Sequence, residues 1–289
     1  MNYKVLIFGP TGMIGHTLYS AINKHFNIYY VTKNSKKIID NFNIFNLEKG
    51  FFEIDYMNLD MIKNIIQKIK PDFVINSAGI TKKLCTKDNI INVEYINSTF
   101  PNFLDKFSIQ FKYKLIHLST DCVFSGNMGN YKIGDITDAE DSYGISKING
   151  EIINSNVLIL RKSTIGLELN TKHGLIEWFL SQKKSIFGFK NVFFTGLTTS
   201  ELAKTIIFII RKYPNLNGIY HIGSEKISKY DLLKKLSLMI ENFDIDIVPN
   251  YDLNCDRSLD SSKFVQITGY DFPNWNIMLK DLSKLINRR

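Results

Sequence analysis

Short apolar runs alternate with stretches whose apolar residues recur every three or four positions. Residues 5–8, 28–31, 51–54, 73–75, 115–118 and 157–161 are three- to five-residue runs of the kind that parallel strands buried on both faces require. Between them a helical spacing runs to residue 22, then over 59–69, over 90–107 and around 143–147. This alternation predicts an α/β fold with a doubly wound parallel sheet, whose ligands lie at the carboxyl ends of the strands. Past residue 161 the regularity fades. Helices are expected over 172–183, 200–212, 229–240 and 274–286, a strand over 218–222, and a polar stretch over 252–262.

The polar clusters fall at strand ends. Gly9-Pro10-Thr11-Gly12-Met13-Ile14-Gly15 joins the first strand to the first helix. In that context Gly9 permits a tight turn, Gly12 lets the backbone approach a pyrophosphate, and Gly15 allows close helix packing; the helix N-terminus then faces the phosphates. No acidic residue follows the second strand, where a free ribose 2′-hydroxyl is usually met. The chain continues Thr32-Lys33-Asn34-Ser35-Lys36-Lys37, offering cations and hydroxyls to a 2′-phosphate, which points to NADPH; a merely lysine-rich loop is the alternative. Ser77-Ala78-Gly79 supplies small residues that let the chain pass under a nucleotide.

Tyr143 and Lys147 are four apart, one turn apart on a helix face. An ammonium beside a phenol favours phenolate, and such a phenol can exchange a proton with a carbonyl or alcohol. An exposed pair on an amphipathic helix is the alternative reading. The company of the glycine turn and of Ser119-Thr120-Asp121 at a strand end favours chemistry.

Composition narrows the class. The chain has 289 residues, 44% hydrophobic, with a net charge of +8 from scattered lysines. No basic stripe interleaved with aromatics appears, so a nucleic-acid groove is not indicated. Cys85, Cys122 and Cys255 lack metal-ligand spacing and suit reduced thiols; no metal is expected. No signal peptide precedes the first strand and no apolar run reaches the ~18 residues of a membrane span, so a soluble cytoplasmic protein is expected.

Gly9, Gly12 and Gly15 with Thr120, Tyr143 and Lys147 resemble the extended short-chain dehydrogenase/reductase superfamily. Within it, the run from Ser119 to Gly126, then Tyr143 to Lys147, Gly150-Glu151, Arg161-x-Ser163-x-Ile165-Gly166 and the run from Cys255 to Asp260 look most like the dTDP-4-dehydrorhamnose reductase group. The resemblance covers the whole chain. It implies an NADP-binding Rossmann domain over 1–162 and a smaller substrate-binding lobe over 163–289, partly interleaved with the main sheet. It implies reduction by NADPH of the C4 ketone of a UDP- or dTDP-linked 4-keto-6-deoxyhexose, toward a deoxysugar donor of rhamnose or N-acetylated type. By the same resemblance Thr120 is expected to hydrogen-bond the ketone, Tyr143 to deliver the proton, and Lys147 to hold the nicotinamide ribose. The resemblance assigns cofactor contacts to Gly9, Thr11, Gly12, Met13, Ile14, Gly15, Thr32, Lys33, Asn34, Asp55, Tyr56, Ser77, Ala78, Gly79, Asn97, Tyr143 and Lys147, with Asp55 and Tyr56 flanking the adenine. Substrate contacts are assigned to Thr81, Asp121, Val123, Phe124, Ser163, Trp178 and Arg257, the last for the phosphates or else a surface arginine. A homodimer is the family's expectation.

One position departs from the reductase pattern. The residue after Thr120-Asp121 is Cys122, where related 4,6-dehydratases carry glutamate and the rhamnose-type reductase usually tyrosine. In GDP-fucose synthase-like enzymes a cysteine stands there with a downstream histidine, and His173 lies at a comparable distance here. The resemblance then implies C3 epimerisation before reduction, with thiol and imidazole on opposite faces of an acidified carbon. A buried Cys122 and a helix-terminal His173 form the alternative. Two other functions stay open: a nucleotide-sugar epimerase holding NAD tightly, and a non-catalytic NADP-binding regulatory subunit.

Overall fold

The computed structural model describes residues 3–152, 154 and 156–289. The first half alternates as expected: β1 (Lys4–Phe8), α1 (Met13–Ile22), β2 (Asn27–Val31), α2 (Lys36–Asp40), β3 (Gly50–Phe51), α3 (Leu59–Ile69), β4 (Phe73–Asn76), α4 (Ile90–Glu94), α5 (Phe100–Phe111), β5 (Lys114–Leu118), α6 (Ser142–Asn149) and β6 (Val157–Arg161). The second half carries β7 (Thr164–Ile165), α7 (Leu175–Leu180), β8 (Ile186–Phe189), β9 (Val192–Phe194), β10 (Leu197–Thr198), α8 (Thr199–Lys212) and β11 (Gly218–His221). It ends with β12 (Ile227–Ser228), α9 (Lys229–Ser237), β13 (Ile247–Asn250), β14 (Cys255–Arg257), α10 (Ser262–Thr268) and α11 (Trp275–Ile286).

Seven strands form the main sheet in the order β11-β6-β5-β4-β1-β2-β3. Pairing is parallel from β6 through β3. The order reverses between β1 and β4, so the carboxyl ends of these two strands diverge into a crevice where a ligand can enter. The sheet residues Leu6, Phe8, Val74, Leu115 and Ile159 pack with Ile62, Ile65, Ile66 and Ile69 of α3 and with Phe100 and Leu104 of α5. Each such fully buried side chain stabilises by about 1.5–3 kcal/mol, which explains why the amphipathic 59–69 pattern was legible down to its ends.

The chain divides into two compact units. One comprises Met1–Ser119, Glu140–Leu160 and Ala203–Ile219; the other comprises Thr120–Ala139, Arg161–Leu202 and Tyr220–Arg289. In the second unit β8 pairs with β13 and β9 with β14, both parallel, while β12 runs antiparallel to β9. Among the described residues no helix is long and apolar enough to cross a membrane.

Four expectations change. The strand over 51–54 shrinks to Gly50–Phe51, because Glu53 takes a left-handed φ of 54° and leaves the ladder. The helix over 90–107 continues to Phe111 but is interrupted by a π turn at Tyr95–Thr99. The helix over 172–183 contracts to Leu175–Leu180, since the Glu168 carboxylate accepts from the backbone N–H groups of His173 and Gly174 and holds them in a loop. The polar stretch 252–262 contains β14, paired to β9 rather than left as a tail.

Candidate active site

In the first unit a cavity of about 290 Å³ opens at the carboxyl ends of β1, β2 and β4. Its lining includes Gly9, Thr11, Gly12, Thr32, Lys33, Asn34, Tyr56, Ser77, Ala78 and Gly79. Gly9 has φ +74°, and a Cβ there would stand 2.7 Å from Ala78 backbone atoms. A Cβ on Gly15 would stand 1.9 Å from the Gly9 carbonyl, so α1 can approach the turn only with glycine there. A Cβ on Gly12 meets only the Gly9 carbonyl, at 3.7 Å, leaving that face open to a ligand. α1 starts without a side-chain cap and without acid in its first turn, so its N-terminal N–H groups and dipole favour an anion. Met13 and Ile14 form that turn, half-buried.

The rim is cross-braced. The Asn34 amide donates to Thr11 Oγ1 at 3.3 Å, and Thr32 Oγ1 accepts from the Asn34 N–H at 3.1 Å. The Tyr56 hydroxyl accepts from the Gly9 N–H at 2.9 Å and donates to the Val31 carbonyl at 2.8 Å, bridging the ends of β1 and β2. Burial pushes this phenol far above its ordinary range, so it stays a neutral strut. Lys33 is exposed, 3.5 Å from the Asp55 carboxylate and 5.6 Å from the Tyr56 ring centroid. These features fit a dinucleotide with an anionic substituent near Lys33.

Asn97, expected at the cofactor, instead serves the fold. It sits fully buried in the π turn, accepts from the Ile80 N–H at 2.9 Å, and donates to the Ile80 carbonyl and to Ser146 Oγ at 3.0 Å. These bonds occupy the amide and tie the loop after β4 to α6. Nearby, Ser98 Oγ donates to the Ser146 carbonyl, and a Cβ on Gly150 would stand 2.1 Å from the Asn97 carbonyl. The π turn therefore holds α6 at Ser146 and packs against its C-cap, Gly150.

α6 begins at Asp141, whose carboxylate accepts from the Gly144 N–H at 3.0 Å and pairs with Lys82 at 2.9 Å. Tyr143 is half-buried on this helix; Lys147, one turn on, is buried and donates from Nζ to the Leu118 carbonyl at the end of β5, 2.9 Å away. That bond directs the ammonium to the carboxyl end of the sheet. Thr81 is exposed and lies outside the cavity lining.

In the second unit a cavity of about 210 Å³ is lined by Asp121, Cys122, Ser163, Phe193, Lys229 and Arg257 among others. Asp121–Val123 is a single 3-10 turn capped by Thr120, whose Oγ1 accepts from the Cys122 N–H and donates to Asp121 Oδ1, both at 3.1 Å. Asp121 is buried, and desolvation raises its carboxyl above the usual range against the opposing pull of the Thr120 hydrogen bond, Arg257 and Lys162. Arg257 donates to the Phe124 and Ser125 carbonyls at 2.8 and 3.0 Å, which aims a fixed guanidinium at the cavity. Lys229, at the start of α9, is a cation that periodicity alone did not mark.

Several expected substrate contacts lie elsewhere. Val123 and Phe124 are fully buried; Phe124 stacks on Tyr131 at 4.1 Å and carries the Arg161 guanidinium on its face. An apolar pair after a strand packs inward, and here it does. His173 is exposed before α7, and Trp178 is 38% exposed; neither lines the cavity. The structure therefore brings Cys122, Ser163 and Arg257 to one cavity, whose lining does not include His173.

Comparison with known proteins places the chain in a family and shows a likeness of fold. The family described as RmlD substrate binding domain matches residues 3–284. The chain is 28% identical over 239 residues to the dTDP-4-dehydrorhamnose reductase of Aggregatibacter actinomycetemcomitans, covering 79% of this chain and 76% of that one. It is 24% identical over 307 residues to the enzyme of the same name from Escherichia coli K12, covering 96% of each. The crystal structure of dTDP-4-dehydrorhamnose reductase from Bacillus anthracis strain Ames in complex with NADP superposes with a TM-score of 0.79 at 19% identity. It covers 98% of this chain and 99% of the other, a likeness of fold.

Proposed function

Because this chain belongs to the RmlD substrate-binding-domain family, we propose that it reduces the C4 ketone of a dTDP-linked 4-keto-6-deoxyhexose with NADPH, a UDP-linked sugar being the second candidate. The observation that carries this reading is α6, which presents Tyr143 one turn from a Lys147 whose ammonium is anchored at the end of β5. The two relatives named above as dTDP-4-dehydrorhamnose reductases favour dTDP, and the NADP complex of the third favours NADPH.

NADPH, when bound, supplies hydride to C4. The chain's own residues do the rest. Gly9, Thr11, Gly12 and the first turn of α1 hold the pyrophosphate, and Thr32, Lys33 and Asn34 receive the 2′-phosphate. Tyr143 gives its proton to the C4 oxygen while Lys147 stabilises the phenolate left behind. Thr120 donates to the same oxygen once its hydroxyl turns away from Asp121. Arg257 and Lys229 bind the diphosphate.

Cys122 on the cavity wall favours proton exchange at C3. As thiolate, its sulfur takes the C3 proton and becomes the thiol while the C–H electron pair passes into the enolate of the C4 ketone, and the reverse step restores the bond. Full inversion needs a second group on the opposite face, the role expected of His173, which is exposed and does not line this cavity.

The test is to mix the protein with dTDP- and UDP-4-keto-6-deoxyhexoses, follow NADPH absorbance, and identify products by NMR. Absence of NADPH oxidation with both classes refutes the reductase reading. In D₂O without cofactor, the wild type should place deuterium at C3 and Cys122→Ser should not; equal exchange by both removes Cys122 from the chemistry.

A further inference from the structure

The second-unit cavity has a neighbour. A hollow of about 310 Å³ adjoins it, and Phe193 and Cys255 line both. Asn127, Asn191 and Asn254 line this annex, the first and last exposed and Asn191 half-buried. Among the described residues none of these three carboxamides has a hydrogen-bond partner in the protein. Their backbone, by contrast, is fixed. The Cys255 N–H donates to the Asn191 carbonyl at 3.0 Å, and the Asp256 N–H donates to the Gly126 carbonyl at 2.7 Å. Gly126 has φ +94°, and a Cβ there would stand 2.4 Å from Cys255 Sγ, so only glycine lets this loop close on β14.

The annex is polar but has no spare charge. Its one carboxylate, Asp256, is bound by Lys226 Nζ at 2.5 Å and by the Ser258 N–H and hydroxyl at 3.0 and 2.6 Å. With both carboxylate oxygens engaged, the hollow suits a neutral group rather than an ion. Each carboxamide offers two N–H donors and a carbonyl acceptor, so that group should carry donors and acceptors together. The adjoining cavity differs, because Arg257 and Lys229 make it cationic. A ligand spanning the two is anionic in its middle and neutral and polar at one end.

A nucleotide-linked sugar has that plan. Its keto-sugar end must meet Thr120, which caps the turn bearing Cys122 on the cationic cavity's wall. The nucleoside end is then left for the annex. We propose that the annex is the nucleoside subsite, where Asn127, Asn191 and Asn254 bind a pyrimidine base beside the half-buried Phe193 ring. Thymine and uracil both present a carbonyl, an N–H and a second carbonyl along one edge, which carboxamides match with one donor and one acceptor each. An aromatic ring adds a face on which a base can stack. This assignment rests on the nucleotide-sugar reading given above.

The experiment is isothermal titration of dTDP, UDP and inorganic pyrophosphate into the wild type, an Asn191→Ala/Asn254→Ala double variant and Lys229→Ala. The double variant should weaken dTDP and UDP by about tenfold, the loss of one or two neutral hydrogen bonds, and leave pyrophosphate unchanged. Lys229→Ala should weaken all three. Neither asparagine side chain bonds the protein, so the double variant should keep the wild-type circular dichroism spectrum and thermal midpoint. In turnover it should raise KM with kcat unchanged, because the nucleoside is held equally in ground and transition states. Unchanged affinity for dTDP and UDP in the double variant, or pyrophosphate weakened alongside them, overturns the proposal. Nucleotide binding that depends on the two amides, without NADPH oxidation, would keep the subsite and reject the reductase reading. Turnover with an unchanged KM in the double variant would do the reverse.

Discussion

Tyr143→Phe deletes one hydroxyl from a half-buried ring on α6 and leaves the helix's cap and its grip by the π turn intact. Positioned acid–base groups contribute about 10²–10⁴-fold, so kcat should fall at least ~10²-fold with little change in thermal stability. A phenylalanine variant turning over at the wild-type rate would refute the proton-donor role. Lys33 gives a second test of a single side chain. Lys33→Ala should weaken NADPH more than NADH by about 1–2 kcal/mol, the range of a charge-assisted hydrogen bond. Asp55→Asn should act in the opposite sense, because it releases the ammonium from its exposed ion pair. Isothermal titration with both cofactors checks the pair; equal changes for NADPH and NADH would remove Lys33 from 2′-phosphate recognition.

At the scale of elements, the site depends on one helix being held still. Asn97 links three partners through one amide, and its own position depends on the extra residue of the π turn. Asn97→Leu keeps the approximate volume but leaves the Ile80 N–H and carbonyl without partners inside the protein. Two stranded, partly buried groups cost at most about 1–3 kcal/mol each. The variant should therefore unfold at lower urea, and it should also lose kcat by loosening α6. A variant with unchanged denaturation midpoint would show that water replaces the amide. Helix spacing displayed α4 and α5 as one continuous pattern, since a π turn inserts a single residue without breaking the apolar stripe. Pattern could mark the helix but not the kink that makes Asn97 an internal clamp.

For the molecule as a whole, acid stability should be governed by His221. It is fully buried, its Nδ1 is 3.0 Å from the Tyr131 carbonyl, its Nε2 is 3.4 Å from Arg161, and the Phe124 ring abuts it. Desolvation, reinforced by Arg161, lowers it from 6.5 to about 4. The unfolded chain binds this proton near pH 6.5 and the folded chain only near 4. Stability is thus complete above about pH 6.5 and is lost as pH falls toward 4, by about 3 kcal/mol for a shift of roughly 2.5 units. Urea denaturation from pH 7 to 4 should show this decline, and His221→Gln should flatten it. An identical slope in the variant would assign the loss to other groups.

Local chemistry settled what lies close in sequence. The strand, turn and helix from β1 to α1, the bare glycine face at Gly12, and the Tyr143–Lys147 spacing on α6 all follow from residues within a few positions of one another, because apolar periodicity and steric freedom are local properties. Long-range packing settled the rest. Phe124 turned inward because Tyr131 and Arg161 offer it an apolar and cationic seat. Tyr56 became a strut because β1 and β2 end side by side. Lys162 acquired its neighbours only when β6 was laid against β5, pairing Leu118 with Leu160 and carrying Lys162 beside Asp121. Which polar group ends up buried next to which depends on contacts between distant segments, and no periodicity in the chain encodes them.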